Sequence, residues 1–142
     1  MKKRKTNSAL MKRWVFDHAN AMMEEFNMKR SDAFMQAYLV RDLLDALGQG
    51  IAVFEYEKKD GSLRKAKGTL CKGVSDGYDA YEYKTDSLDN DKYPKLDISY
   101  WDLDKEAFRT FSVANVKRIV EVVIKGKSKN KDREFHELIE FI

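Results

Sequence analysis

Hydrophobic positions recur along the chain with two different periods, and the change between them falls near Gly50. From Ser8 onward, Met11, Trp14, Val15, His18, Met22 and Phe26 share one stripe at helical spacing, which predicts a first amphipathic helix. Asn27 to Arg30 reads as a turn. Ser31 is the expected N-cap of a second helix, with Asp32 favourable in its first turn. That helix carries Phe34, Tyr38, Leu39, Leu43, Leu44 and Leu47. Gly48, as its C′ residue, and Gly50 end it. The two stripes predict a helical hairpin.

From Gly50 the period shortens to two. Gly50 to Leu70 reads as a β-hairpin about the turn signal Lys59-Asp60-Gly61-Ser62. A two-residue Asp-Gly loop would set Phe54 beside Lys67 and Tyr56 beside Lys65, and neither face would be cleanly apolar. A three-residue loop with Gly61 left-handed in a G1 bulge shifts the register by one. Phe54 then opposes Ala66, Tyr56 opposes Arg64, and Ala52 opposes Gly68, giving one apolar face. Glu55 opposes Lys65 and Val53 opposes Lys67 on the other. A one-residue slip exchanges the faces, so the second register is expected. An exposed Glu55–Lys65 pair would contribute about 0.2–1 kcal/mol, and burial of Phe54 about 1.5–3 kcal/mol.

Cys71 to Gly77 is loop-like, and residues 78–93 alternate aromatic and charged side chains in what reads as a solvated loop closed by Pro94. Lys95 to Leu103 forms a strand in which Leu96, Ile98 and Tyr100 alternate with Asp97, Ser99 and Trp101. Ala107 to Val113 returns as a second strand, with Phe108 and Thr110 on the pleat face opposite Arg109 and Phe111. Val113-Ala114-Asn115 reads as a short turn or 3₁₀ step, and Val116 to Lys125 as the last strand. After a basic stretch from Gly126, Asp132 is placed to cap a final amphipathic helix bearing Phe135, Leu138, Ile139 and Ile142. The expected fold class is α+β: an N-terminal helical hairpin packed on a small SH3-like antiparallel β-barrel, with a C-terminal helix. The divisions fall at residues 1–49, 50–125 and 126–142, forming one folding unit.

Composition changes this picture little. The 142 residues suit one domain, a hydrophobic content of 43% suffices for a core, and a charged content of 36% implies a well-solvated surface. No apolar run approaches the roughly 20 residues of a membrane helix, and no signal-peptide core follows Met1 to Arg4. The lone Cys71 excludes an intrachain disulfide and points to a reducing, cytoplasmic setting. The net charge of +3 is unevenly spread. Residues 1–13 hold Lys2, Lys3, Arg4, Lys5, Lys12 and Arg13 with no acid, residues 76–104 hold nine acids against three lysines, and residues 117–133 are basic again. Basic ends of this kind are either solvated tails or attractors of phosphate backbones.

Candidate chemistry is sparse. Cys71 as a nucleophile would need a base and an orienter, and His136 lies far along the chain. Asp86, Asp89 and Asp91 lack the glycine and the twelfth-position glutamate of a calcium loop. His18 has no second ligand at helical spacing. A DNA-reading second helix would need more cations and amides than Asp32, Gln36, Arg41, Asp42 and Asp45 supply. No catalytic, metal or cofactor residue is therefore assigned, and no enzyme activity is expected.

Two stretches resemble a known family. Phe54-Glu55-Tyr56-Glu57-Lys58-Lys59-Asp60-Gly61 with Arg64-Lys65-Ala66-Lys67-Gly68-Thr69-Leu70, and Tyr100-Trp101-Asp102 with Phe108-Arg109-Thr110-Phe111, are similar to small proteins of Bacteroidota and their phages described as SH3 β-barrel fold-containing proteins. The resemblance spans most of residues 8–123 and implies the fold. Phe108-Arg109-Thr110-Phe111 followed by Val116-Lys117-Arg118-Ile119 is also similar to WYL domains, small barrels that sense ligands or nucleic acids in bacterial regulators. The Trp-Tyr-Leu triplet is absent, so this resemblance implies a role only for Arg109 and Arg118.

The expected function is a non-catalytic, nucleic-acid-associated binding module of bacterial or phage origin, located in the cytoplasm or, if phage-encoded, in the host cytoplasm or virion. Barrel faces stack bases on aromatics and track phosphates with cations, and the candidate contacts are Arg109, Lys117, Arg118, Tyr100, Trp101, Lys65 and Lys67. The outer face of the first hairpin is nearly charge-balanced, which favours Arg109, Lys117, Arg118 and the basic ends. The alternatives are a protein-interaction or assembly component, such as a phage structural or host-defence inhibitory protein, or a binder of small nucleotide-like anions. A protein partner or second copy would dock on a barrel edge or on residues 135–142.

Overall fold

The computed structural model describes residues 7–81, 93–125 and 137–140. Helix α1 (Asn7–Phe26) ends where Asn27 adopts the left-handed φ of 57°, a conformation asparagine tolerates at helix C-termini. Helix α2 (Arg30–Gln49) begins one residue before Ser31. Lys29 occupies the N-cap position without a side-chain cap, so the expected Ser31 cap is not formed. Gly48 lies inside the helix, and the chain leaves it at Gly50 directly into the sheet.

The face of α2 also differs from the expected stripe. Ala33, Ala37, Val40, Leu43, Ala46 and Leu47 are buried, while Tyr38 is exposed and Phe34 and Leu39 are half-buried. Three of the six buried positions are alanines, and the bulky Phe34, Tyr38 and Leu39 take the flanks. On α1 the buried stripe is Val15, His18, Ala19 and Met22, and Phe26 is exposed.

Six strands form one antiparallel sheet in the order β4-β3-β2-β1-β5-β6: β1 (Gly50–Glu57), β2 (Leu63–Thr69), β3 (Asp97–Asp102), β4 (Ala107–Ser112), β5 (Val116–Ile124) and β6 (Glu137–Glu140). The β1–β2 register is the bulged one: Phe54 opposes Ala66, Tyr56 opposes Arg64 and Ala52 opposes Gly68. Gly61 has φ of 90°, and the loop closes through Lys58 N to Ser62 O at 2.8 Å and Gly61 N to Lys58 O at 2.9 Å. Asp60 adds a carboxylate bond to Ser62 N at 2.9 Å, the side-chain turn that makes Asp favourable here. The cross-strand neighbours Glu55 and Lys65 do not pair, because the Glu55 carboxylate takes Arg118 Nε at 3.0 Å.

The sheet curls without closing. Three strand spacings separate β4 from β1, which would be about 14 Å in a flat sheet. Yet the rings of Phe111 and Phe54 lie 5.6 Å apart and those of Phe111 and Tyr56 5.8 Å apart. Phe54, Tyr56, Tyr100 and Phe111 form an aromatic core inside the curl, and α2 packs across it through Val40, Leu43 and Leu47. Gln36, expected to face solvent, is half-buried and donates to Val113 O at 2.9 Å and Val116 O at 2.7 Å. It fastens α2 to the 3₁₀ turn Val113–Asn115, which itself stands where the sequence places it.

Two further expectations are corrected. Residues 137–140, assigned to a C-terminal helix, form β6 and pair with β5 from Ile124–Glu137 to Glu121–Glu140. A four-residue apolar pattern is equally readable as strand or helix, and the open backbone edge of β5 decides it. The rest of that helix, with Phe135 and Ile142, lies outside the described residues. Residues 76–81, read as loop, form the short helix α3 (Asp76–Tyr81). The acids Asp86, Asp89 and Asp91, His136 and most of the basic ends also lie outside the described residues.

Candidate nucleic-acid interface

The curl brings β4 beside the end of β1 without hydrogen-bonding them, and the gap is a cleft of about 430 Å³. Tyr56, Glu57, Lys58 and Lys59 form one wall, Phe108 to Ser112 the other, and Asp97 and Asn115 the remaining rim. Arg109 is exposed and makes no ion pair among the described residues. Lys59 is likewise exposed and makes no ion pair among the described residues. Lys58 and Lys59 were not among the expected contacts. They stand here because the bulged loop carries them past the end of β1, toward a strand distant in sequence.

The other expected residues divide between two faces. Lys117 lies beside this cleft, 3.6 Å from Glu57, and Arg118 is held by Glu55 on the outer sheet face. Lys65 and Lys67 are exposed on that same outer face and carry no ion pair among the described residues. Tyr100 and Trp101, expected as stacking surfaces, are both buried. Tyr100 points inward into the aromatic core. Trp101 points outward, but α3 covers it.

The floor of the barrel end is a buried polar chain. Tyr56 Oη lies 3.0 Å from Tyr100 Oη, Tyr100 Oη donates to Asp102 Oδ2 at 3.3 Å, and Arg64 Nη2 donates to the same oxygen. Asp102 Oδ1 accepts from Asp104 N at 2.9 Å and Lys105 N at 3.0 Å. Burial would push the Asp102 carboxyl up, but the Arg64 guanidinium and the backbone N–H groups hold it below its ordinary value. Burial, with the Tyr56 hydrogen bond, pushes the Tyr100 hydroxyl up, so it stays protonated and donating. The chain fixes Tyr56 in the cleft wall; its role is architectural. Among the described residues, no group of three or more His, Cys, Asp or Glu is placed to hold a metal ion, and no helix is long and apolar enough to cross a membrane.

Comparison with known proteins agrees with the fold. No curated protein and no solved structure matches the chain. The family described as WYL_2, Sm-like SH3 beta-barrel fold, matches residues 40–117, from the second half of α2 to the start of β5. That span is more than half of the chain and holds β1 to β4 and both walls of the cleft, so this chain belongs to the WYL_2 family of Sm-like SH3 β-barrels.

Proposed function

We propose that the chain is a non-catalytic binding module that engages nucleic acid through its phosphates at the cleft between the hairpin tip and β4. The observation that carries this reading is Arg109, exposed in a concave site beside Lys58 and Lys59 and free of any ion pair among the described residues. An unpaired guanidinium offers a forked donor set suited to phosphate oxygens. Glu57 and Asp97 on the same rim lower the local field but leave three cations against two acids. The resemblance to small proteins of Bacteroidota and their phages supports a bacterial or phage origin and a cytoplasmic or virion setting.

Fluorescence anisotropy with labelled single- and double-stranded oligonucleotides at low ionic strength tests the reading. Single-strand binding should weaken with salt, with a log–log slope of about −2 for three phosphate contacts. Arg109→Ala should reduce that slope by about 0.7. Absence of salt-dependent binding overturns the proposal. The cleft volume of about 430 Å³ favours one second reading, a small nucleotide-like anion, since small-ligand sites fall in the range of about 300–1,000 Å³. A thermal-shift screen of mononucleotides separates the two.

A further inference from the structure

The outer face of the sheet carries a second set of groups, of which Phe108 alone also borders the cleft. Trp101 opposes Thr69 on β2 and Phe108 on β4. Lys67 and Lys65 follow Thr69 at two-residue steps along β2, so they lie on the face that bears Trp101. Both lysines are exposed and without ion pairs among the described residues, because Arg118 takes the one carboxylate directly across from Lys65. An aromatic pair flanked by two free cations is the composition of a single-strand platform.

The platform is covered. Trp101 is 3% exposed, and what hides its outward side is α3. The Tyr81 ring sits 5.7 Å from the indole at 37°, the Tyr78 ring 6.4 Å away, and Phe108 packs edge-on at 5.0 Å. The indole N–H is buried with no acceptor among the described residues, so the fit of the cover leaves a donor unsatisfied.

The cover is also thin. α3 has six residues, none of them buried, and a helix of that length does not sustain itself. Among other contacts, it is tied down by Tyr78 Oη to Leu70 O at 3.3 Å and by the Asp79 carboxylate to Gly73 N at 3.1 Å. It lies so close that a Cβ on Gly77 would meet Trp101 Cζ2 at 2.6 Å.

We propose that α3 is a displaceable cover over the Trp101–Phe108 platform, and that an unpaired nucleobase displaces it, exchanging with the Tyr81 ring while the adjoining phosphates lie along Lys65 and Lys67. The proposal rests on the nucleic-acid reading and adds a second surface and a preference for single strands. A duplex keeps its bases stacked and has no ring to exchange.

The test uses the full chain with Trp14→Phe, which leaves Trp101 as the sole tryptophan. Its indole fluorescence is followed with acrylamide and with a labelled twelve-nucleotide oligothymidylate. The oligonucleotide should quench Trp101. Gly77→Ala, which forces α3 off the indole, should raise acrylamide quenching and tighten single-strand binding about fivefold, with duplex binding unchanged, while Lys65→Ala and Lys67→Ala, both outside the cleft, should each reduce the salt slope of single-strand binding by about 0.7. Should Gly77→Ala fail to fold, Asp79→Ala, which releases the tie to Gly73, is read in the same way. Salt-dependent binding that neither quenches Trp101 nor responds to these variants overturns the cover and leaves the cleft reading standing. Quenching of Trp101 that persists in Arg109→Ala with unchanged affinity supports the platform and overturns the cleft. Absence of any oligonucleotide binding overturns both.

Discussion

Replacing Asp102 by asparagine should cost this protein about 2–3 kcal/mol, toward the lower side of the roughly 3–5 kcal/mol typical of breaking a buried ion pair. The carboxylate is fully buried and takes four hydrogen bonds, from Arg64 Nη2, Tyr100 Oη, Asp104 N and Lys105 N. Asparagine Oδ1 can still accept the two backbone bonds. Its amide nitrogen then faces the Arg64 and Tyr100 donors, and the charge-assisted bond, about 1.5–3 kcal/mol, is lost. Arg64 Nε already has no partner, but the side chain is 19% exposed, so water takes up part of the stranded charge. Urea unfolding followed by far-UV circular dichroism should show the midpoint falling by about 1–1.5 M for a slope near 2 kcal/mol/M. Adding Arg64→Met should recover about 1–2 kcal/mol, because the stranded cation is gone. The pH dependence has a definite sign. The folded carboxyl titrates below its ordinary value of 3.8, so its contribution is complete above that value and is lost as pH falls through the folded one. The gap between the two proteins should therefore close only below about pH 4. A cost under about 0.5 kcal/mol, or strict additivity with Arg64→Met, would show that this chain of groups is not coupled.

Three further outcomes are expected. Gly61→Ala should lower stability by about 1–2 kcal/mol, since φ of 90° is strained for any residue with a Cβ, and a thermal melt that does not move would refute the bulged loop. Gln36→Leu should cost about 1–3 kcal/mol by leaving the Val113 and Val116 carbonyls without their donor; hydrogen exchange should show the 3₁₀ turn opening first. His18 is buried, and its Nδ1 lies 2.8 Å from Trp14 O while Nε2 accepts Lys95 N. Burial lowers its pKa from 6.5, so the unfolded state binds the extra proton first. Stability should then fall as pH drops below about 6.5 and level off below the folded value, and His18→Phe should flatten that region of a denaturation series.

The first hairpin was legible because period-two alternation and a glycine turn are both local, and only one register gave Phe54, Tyr56 and Ala66 a common face. The face of α2 was misread for the opposite reason. Phe34 and Tyr38 dominate a hydrophobicity count, whereas Ala33 and Ala37, which are buried, add little to it. The alternation along β3 separated Tyr100 from Trp101 without showing which faces inward, and the covering of Trp101 by α3 is a tertiary event. The signal that could have revealed it is Gly77 between two aromatic residues, Tyr78 and Tyr81, and an acid, Asp76. Lys58 and Lys59 became site residues only once the sheet curled, and no local pattern reports which distant strand a loop will face.

β1 is hydrogen-bonded on both sides, to β2 in unbroken register and to β5 across two register shifts, between Val53 and Phe54 and between Glu55 and Tyr56. The two shifts let a bulged β5 follow a strand whose own spacing is fixed by the hairpin. Length is therefore not interchangeable within this chain. A residue added between Lys58 and Ser62 changes only the loop, and one added to β5 ahead of Glu121, where β6 does not pair with it, can be taken up in a further bulge. One added between Ala52 and Tyr56 would have to be accommodated on two ladders at once and would turn either Ala52 or Tyr56 out of phase with Phe54 and so out of the core. Insertions and deletions should be borne by the loop and by β5 ahead of Glu121, and excluded from five consecutive residues of β1.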